Sequence, residues 1–139
     1  MTDKLSFFRD QWNGPAFRPA DDSYSALGAM LTGDVQNSEA LCLDRLAWIE
    51  DVRSGRSSEQ AWQGNSWDAR ATSGGLQLYD MYSDDWEGHY SLDEAHDVLI
   101  DYLGFLAPGI GADSGPVSQW ESESKRPHPC RDHLQRRPR

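Results

Sequence analysis

Residues 67–106, "WDARATSGGLQLYDMYSDDWEGHYSLDEAHDVLIDYLGFL", leave this chain few ways to fold. Trp67, Ala69 and Ala71 alternate with Asp68, Arg70 and Thr72, the period-two pattern of a half-buried strand. Gly74 and Gly75 follow, and glycine's access to positive φ suits a tight hairpin turn. Leu76 and Leu78 resume the alternation on one side, with Gln77, Tyr79 and Met81 on the other. "SDDWEG" reads as a second turn, and "HY" opens a third, short strand. Ser91 and Glu94 then have the S-x-x-E spacing of a capping box, with acids in the first turn. Leu92, Ala95, Val98, Leu99, Tyr102, Leu103 and Leu106 share one face of the helix that starts there.

Upstream, "SEALCLDRLAWIEDVRSG" (38–55) predicts a helix with Leu41, Cys42, Leu46, Trp48, Ile49 and Val52 on a broad apolar face, stopped by Gly55. A shorter helix is expected over "YSALGAMLTG". Ser57 and Gln60 have capping-box spacing for one or two helical turns. The fold class read from these segments is α+β: N-terminal helices, a two- to three-stranded antiparallel β-meander and a closing C-terminal helix, within one domain at 23–107. Residues 1–22 are expected to be irregular, because Gly14-Pro15 and Pro19 interrupt them. Residues 108–139, rich in Pro, Gly and Ser and then basic, are expected to be disordered.

Charge is divided unevenly. Residues 125–139 hold six bases and one acid, whereas the first 124 residues hold seven bases against 22 acids, a balance of −15. A domain so acidic repels phosphate and attracts basic proteins. Solubility alone is the plainer explanation of the same charge. Two cysteines, Cys42 and Cys130, do not make a disulfide framework. With no signal-like leader and no long apolar run, the sequence reads as soluble and cytoplasmic.

Chemistry-bearing patterns are scarce. Only His128, Cys130, Asp132 and His133 cluster in the sequence. They stand in the Pro/Arg-rich tail with no fourth ligand nearby, so no metal and no cofactor are expected. Ser91 lies between His89 and His96, but as an N-cap it has no nucleophile's role, and no phosphate loop is present. No catalytic residue is assigned, and the chain is not expected to be an enzyme. Trp86 stands at a turn between Asp85 and Glu87, either as an interface anchor or folded over the sheet edge.

From Leu46 to Leu106 the order of segments resembles small bacterial immunity proteins of contact-dependent growth inhibition and related polymorphic-toxin systems. The resemblance rests on W-I-E-D-V-x-S-G closing a helix and W-x-G-N-x-W entering a strand. A hairpin, an acidic turn and a helix opening S-L-D-E and ending Y-L-x-F-L follow. It implies a non-enzymatic inhibitor that binds and neutralises a cognate toxin domain, basic and of nuclease type. The implied contact set is Asp80, Tyr82, Asp84, Asp85, Trp86 and Glu87, with acids steering and the aromatics anchoring. No direct contact with nucleic acid or membrane is expected. The competing reading is a small acidic house-keeping or regulatory interaction module with no toxin partner.

Overall fold

The computed structural model describes residues 4–135, apart from the side chains of Trp86 and Gln135. In chain order the elements are β1 (Leu5–Arg9), β2 (Pro15–Pro19), α1 (Ser25–Met30), α2 (Glu39–Arg53), β3 (Glu59–Gln63), β4 (Trp67–Thr72), β5 (Gly75–Asp80), β6 (Asp85–Tyr90), α3 (Leu92–Leu106), α4 (Gly115–Ser124) and α5 (Arg131–Gln135). A π-helical turn, Leu31–Val35, extends α1. The fold is mixed helix and sheet.

β3 to β6 form an antiparallel meander in sequence order, with Trp67↔Asp80 and Leu76↔Tyr90 among the paired positions. Trp67, Ala69, Ala71, Leu76, Leu78 and Tyr90 are buried on the face that meets the helices. The alternation in the sequence is therefore the alternation of the sheet. The sheet has four strands rather than two or three. Its extra strand, β3, lies where Ser57 and Gln60 pointed to a helical turn. The Ser57 hydroxyl instead donates to the Glu59 carbonyl at 3.0 Å, and β3 pairs with β4 from Glu59↔Thr72 to Gln63↔Asp68. A long-range ladder satisfies this backbone better than one isolated turn. Trp62, facing the core side, packs at a tilt against Trp48 with centroids 5.4 Å apart.

Residues 4–22 depart from the expectation of irregularity, since β1 and β2 form a hairpin, and residues 1–3 lie outside the described residues. The Asp10 carboxylate accepts the N–H groups of Trp12 and Gly14, both at 2.9 Å, and Asn13 takes positive φ, so side chains close the turn. The two prolines sit at the ends of β2, where strands tolerate them. Phe7 then packs edge-on against Tyr102, centroids 4.8 Å apart.

α2 begins at the Ser38 cap, whose hydroxyl accepts the Leu41 N–H at 3.0 Å. α3 begins at a complete capping box. Ser91 accepts the Glu94 N–H at 3.0 Å, and the Glu94 carboxylate accepts the Ser91 N–H at 3.3 Å.

The described part of the segment from 108, expected to be disordered, carries α4, packed on α2, and α5. Val117, Trp120, Cys130 and Leu134 are buried there. The reason is on α2: Leu43 and Ala47, outside the predicted apolar face, are as fully buried as Leu46. α2 thus has two covered faces. Polar atoms complete the docking, with Trp120 Nε1 donating to Asp44 at 2.8 Å and Arg126 forking onto Asp51 at 3.2 and 2.8 Å. No helix among the described residues is long and apolar enough to cross a membrane.

Candidate functional site

The β5–β6 hairpin brings the predicted contact residues to one tip. The ladder's regular path is interrupted: a register shift at Leu78/Tyr79 precedes the turn 81–84. Asp80 turns inward, and its carboxylate accepts the N–H groups of Tyr82 at 2.9 Å and Ser83 at 3.3 Å. Asp84 takes φ 59°, a left-handed position that Asp tolerates better than most residues, and receives the Tyr79 hydroxyl. Ser83 donates to the Glu87 carboxylate at 3.2 Å, and Met81 N–H donates to the Ser66 carbonyl at 3.0 Å. The turn is braced from inside and tied to the β3–β4 loop.

These partners divide the predicted set. Asp80 and Asp84 shape the tip, Glu87 is drawn toward Ser83, and Asp85 is exposed in the first position of β6. Tyr82 projects from the tip at 80% exposure, and few large side chains remain so open. The Trp86 backbone pairs opposite Tyr79, and its side chain lies outside the described residues. The local field shows in Tyr79. Its hydrogen bond to Asp84 raises its pKa first, then partial burial, then the charges of Asp84, Asp85 and Asp68.

Tyr79 and Ser83 were missed in the sequence. The i, i+5 and i, i+4 pairings that they make span a turn whose geometry no periodicity reports. Trp12, 79% exposed at the tip of the β1–β2 turn, was also missed, because its segment read as irregular.

Two of the tail's described basic residues, Arg126 and Arg131, are paired within the chain, whereas Lys125 is exposed. Arg126 and Arg56 both meet the buried Asp51, and Arg131 bonds the Glu121 carboxylate at 2.9 and 3.0 Å. The other tail arginines, 136, 137 and 139, lie outside the described residues.

Of the tail's metal-type residues, His128 and Cys130 turn their side chains to different partners. His128 Nε2 donates to the Leu43 carbonyl at 2.9 Å while Nδ1 accepts the Cys130 N–H at 3.0 Å, so both ring nitrogens are used. Burial lowers its pKa, and the neutral ring that makes these two bonds is the favoured form. Cys130 turns instead toward His96 and Glu50, forming a cluster of three metal-ligating types among the described residues. A groove of about 650 Å³ between α2 and α4 is lined by Glu39, Asp44, Trp120 and Glu123.

The chain matches no known family model, and no curated protein or solved structure shows significant similarity to it.

Proposed function

We propose that this chain is an immunity-type inhibitor, which binds a basic toxin domain stoichiometrically in the cytoplasm and performs no bond chemistry itself. One observation carries the reading: the β5–β6 tip holds an open Tyr82 among Asp80, Asp84, Asp85 and Glu87 on an internally braced turn. A pre-shaped turn loses little conformational entropy on docking. Its acids speed the encounter with a positive surface, and Tyr82 supplies the rigid amphipathic contact typical of interface hot spots. The net charge of −10 on the whole chain acts in the same direction. The resemblance over residues 46–106 names the kind of partner, and a nuclease domain that grips phosphate is basic.

The test is rescue of cells expressing the toxin domain encoded next to this chain's gene. The wild type should restore growth. Tyr82→Ala combined with Asp85→Ala should abolish rescue while the circular dichroism spectrum and melting temperature stay as in the wild type. Undiminished rescue by that folded double variant would remove the hairpin tip from the interface. Binding of a basic partner without any rescue would favour the regulatory interaction module instead.

A further inference from the structure

Three donors of different chemical type, from elements far apart in sequence, converge beneath α5. Glu50 comes from the last turns of α2, His96 from the second turn of α3, and Cys130 from the residue that opens α5. Cys130 Sγ lies 3.6 Å from His96 Nε2, and that nitrogen lies 3.8 Å from Glu50 Oε1. All three ligand atoms fall within 4.8 Å of one another. A tetrahedral zinc ion with ordinary Zn–S and Zn–N bonds places sulfur and nitrogen about 3.6 Å apart, and nitrogen and carboxylate oxygen about 3.3 Å apart. The first spacing is met, and the second needs a small rotation of Glu50.

The surroundings fit a ligand set. His96 Nδ1 lies 3.3 Å from the Asp97 carboxylate, which turns Nε2 toward the cluster as carboxylate partners of metal-bound histidines do. The His133 ring stands edge-on to His96, centroids 5.0 Å apart, and covers it from the α5 side. Arg53 donates to Glu50 Oε1 at 2.8 Å, leaving a carboxylate oxygen its second lone pair. His96 and Cys130 are only 2% and 3% exposed, which closes the cluster to a bulky substrate. Cys42 Sγ is committed elsewhere, 3.7 Å from the Leu99 carbonyl.

We propose that Glu50, His96 and Cys130 are protein ligands of a structural site for a borderline-soft divalent cation of the zinc type, which pins the C-terminal segment to α2 and α3. A sulfur, nitrogen and oxygen donor set selects this class over calcium or magnesium, which take oxygen alone. Binding converts the Cys130 thiol to a metal-bound thiolate and releases its proton to solvent. The site is independent of the hairpin tip, so its failure leaves the inhibitor reading untouched.

The test uses the full chain, stripped with a chelator and titrated with Co²⁺ and then Zn²⁺. One equivalent of Co²⁺ should produce thiolate-to-cobalt charge-transfer absorption and d–d bands of tetrahedral intensity, and Zn²⁺ should displace it. At about pH 8, each Zn²⁺ should release about one proton, and the melting temperature should rise. Cys130→Ser should abolish the charge-transfer band and weaken binding at least about 100-fold, while Cys42→Ala keeps both. His96→Gln should weaken binding likewise; should it fail to fold, the nearly isosteric Cys130→Ser carries the test, its metal-free melt confirming the fold. A wild-type chain without the band, or a band that survives Cys130→Ser, would overturn the site.

Discussion

Asp34 is 7% exposed, yet it is tied to structure far along the chain. Its carboxylate accepts the N–H groups of Ser66 and Trp67, both at 3.0 Å, where the β3–β4 turn enters β4. Gly64 lies against it so closely that an added Cβ would stand 2.2 Å from Asp34 Oδ2. Charged hydrogen bonds to buried donors are worth more than neutral ones. Asp34→Ala should therefore lower stability by about 3 kcal/mol in urea unfolding, and Gly64→Ala by about 1–3 kcal/mol. Together they should cost clearly less than their sum, because the truncation removes the atom that the new methyl strikes. Strict additivity would show that the Gly64 contact is not what costs stability. Sequence reading left Asp34 without a role, because its partners are 32 and 33 positions away.

At the scale of elements, the C-terminal segment is a strap on α2 whose contribution to stability should depend on pH. His128 is buried and neutral against α2, with its pKa lowered from 6.5 mainly by burial. The unfolded chain takes up a proton near that ordinary value and the folded chain does not. Stability from this group is therefore complete above about pH 6.5 and falls as the pH drops below it. Unfolding midpoints measured from about pH 7.5 to 5 should decline in the wild type and flatten in His128→Gln. Glu121 acts lower. Its bond from the His128 N–H, and then those from Arg131, hold its pKa below 4.5. Its contribution is present above that ordinary value and is lost as acid drives the pH through the lowered one. The other end of the chain docks through a close approach. A Cβ on Gly28 in α1 would lie 2.3 Å from the Phe17 ring of β2. Gly28→Ala should push the β1–β2 hairpin off α1, at about 1–3 kcal/mol, with faster amide exchange in residues 5–19 as the specific sign.

Across the whole molecule, the proposed inhibitor role assigns charge to the speed of a partner's arrival and the hairpin tip to the length of its stay. The tail's described arginines are consumed by Asp51 and Glu121, so the rest of the acidic surface is left to the outside. Association with the toxin domain should slow steeply with added salt, and Asp85→Ala should mainly reduce the association rate. Tyr82→Ala should act instead on dissociation, at about 2–4 kcal/mol of affinity. Stopped-flow traces over a salt series separate the two. A salt-independent association rate would contradict the steering argument.

Local signals carried the sequence reading a long way. Alternation placed β4 and β5, the S-x-x-E box placed α3, and Gly55 ended α2 where it was expected. The acidic turn was legible only in part: the sequence reads it at 83–88 with a short strand after it, whereas the chain turns at 81–84 and Asp85–Tyr90 already pairs as β6, because cross-strand pairing with β5 overrides the local turn signal. What eluded it has a common cause. β3, the β1–β2 hairpin and the strap exist because a distant surface satisfies them: β4 for β3, Tyr102 for Phe7, and Leu43 and Asp51 for His128 and Arg126. The meeting of Glu50, His96 and Cys130 is the extreme case, since no spacing links positions 50, 96 and 130. Periodicity reports which side of an element is apolar. Only the packed chain decides which elements have two covered sides and which side chains are carried to the same point.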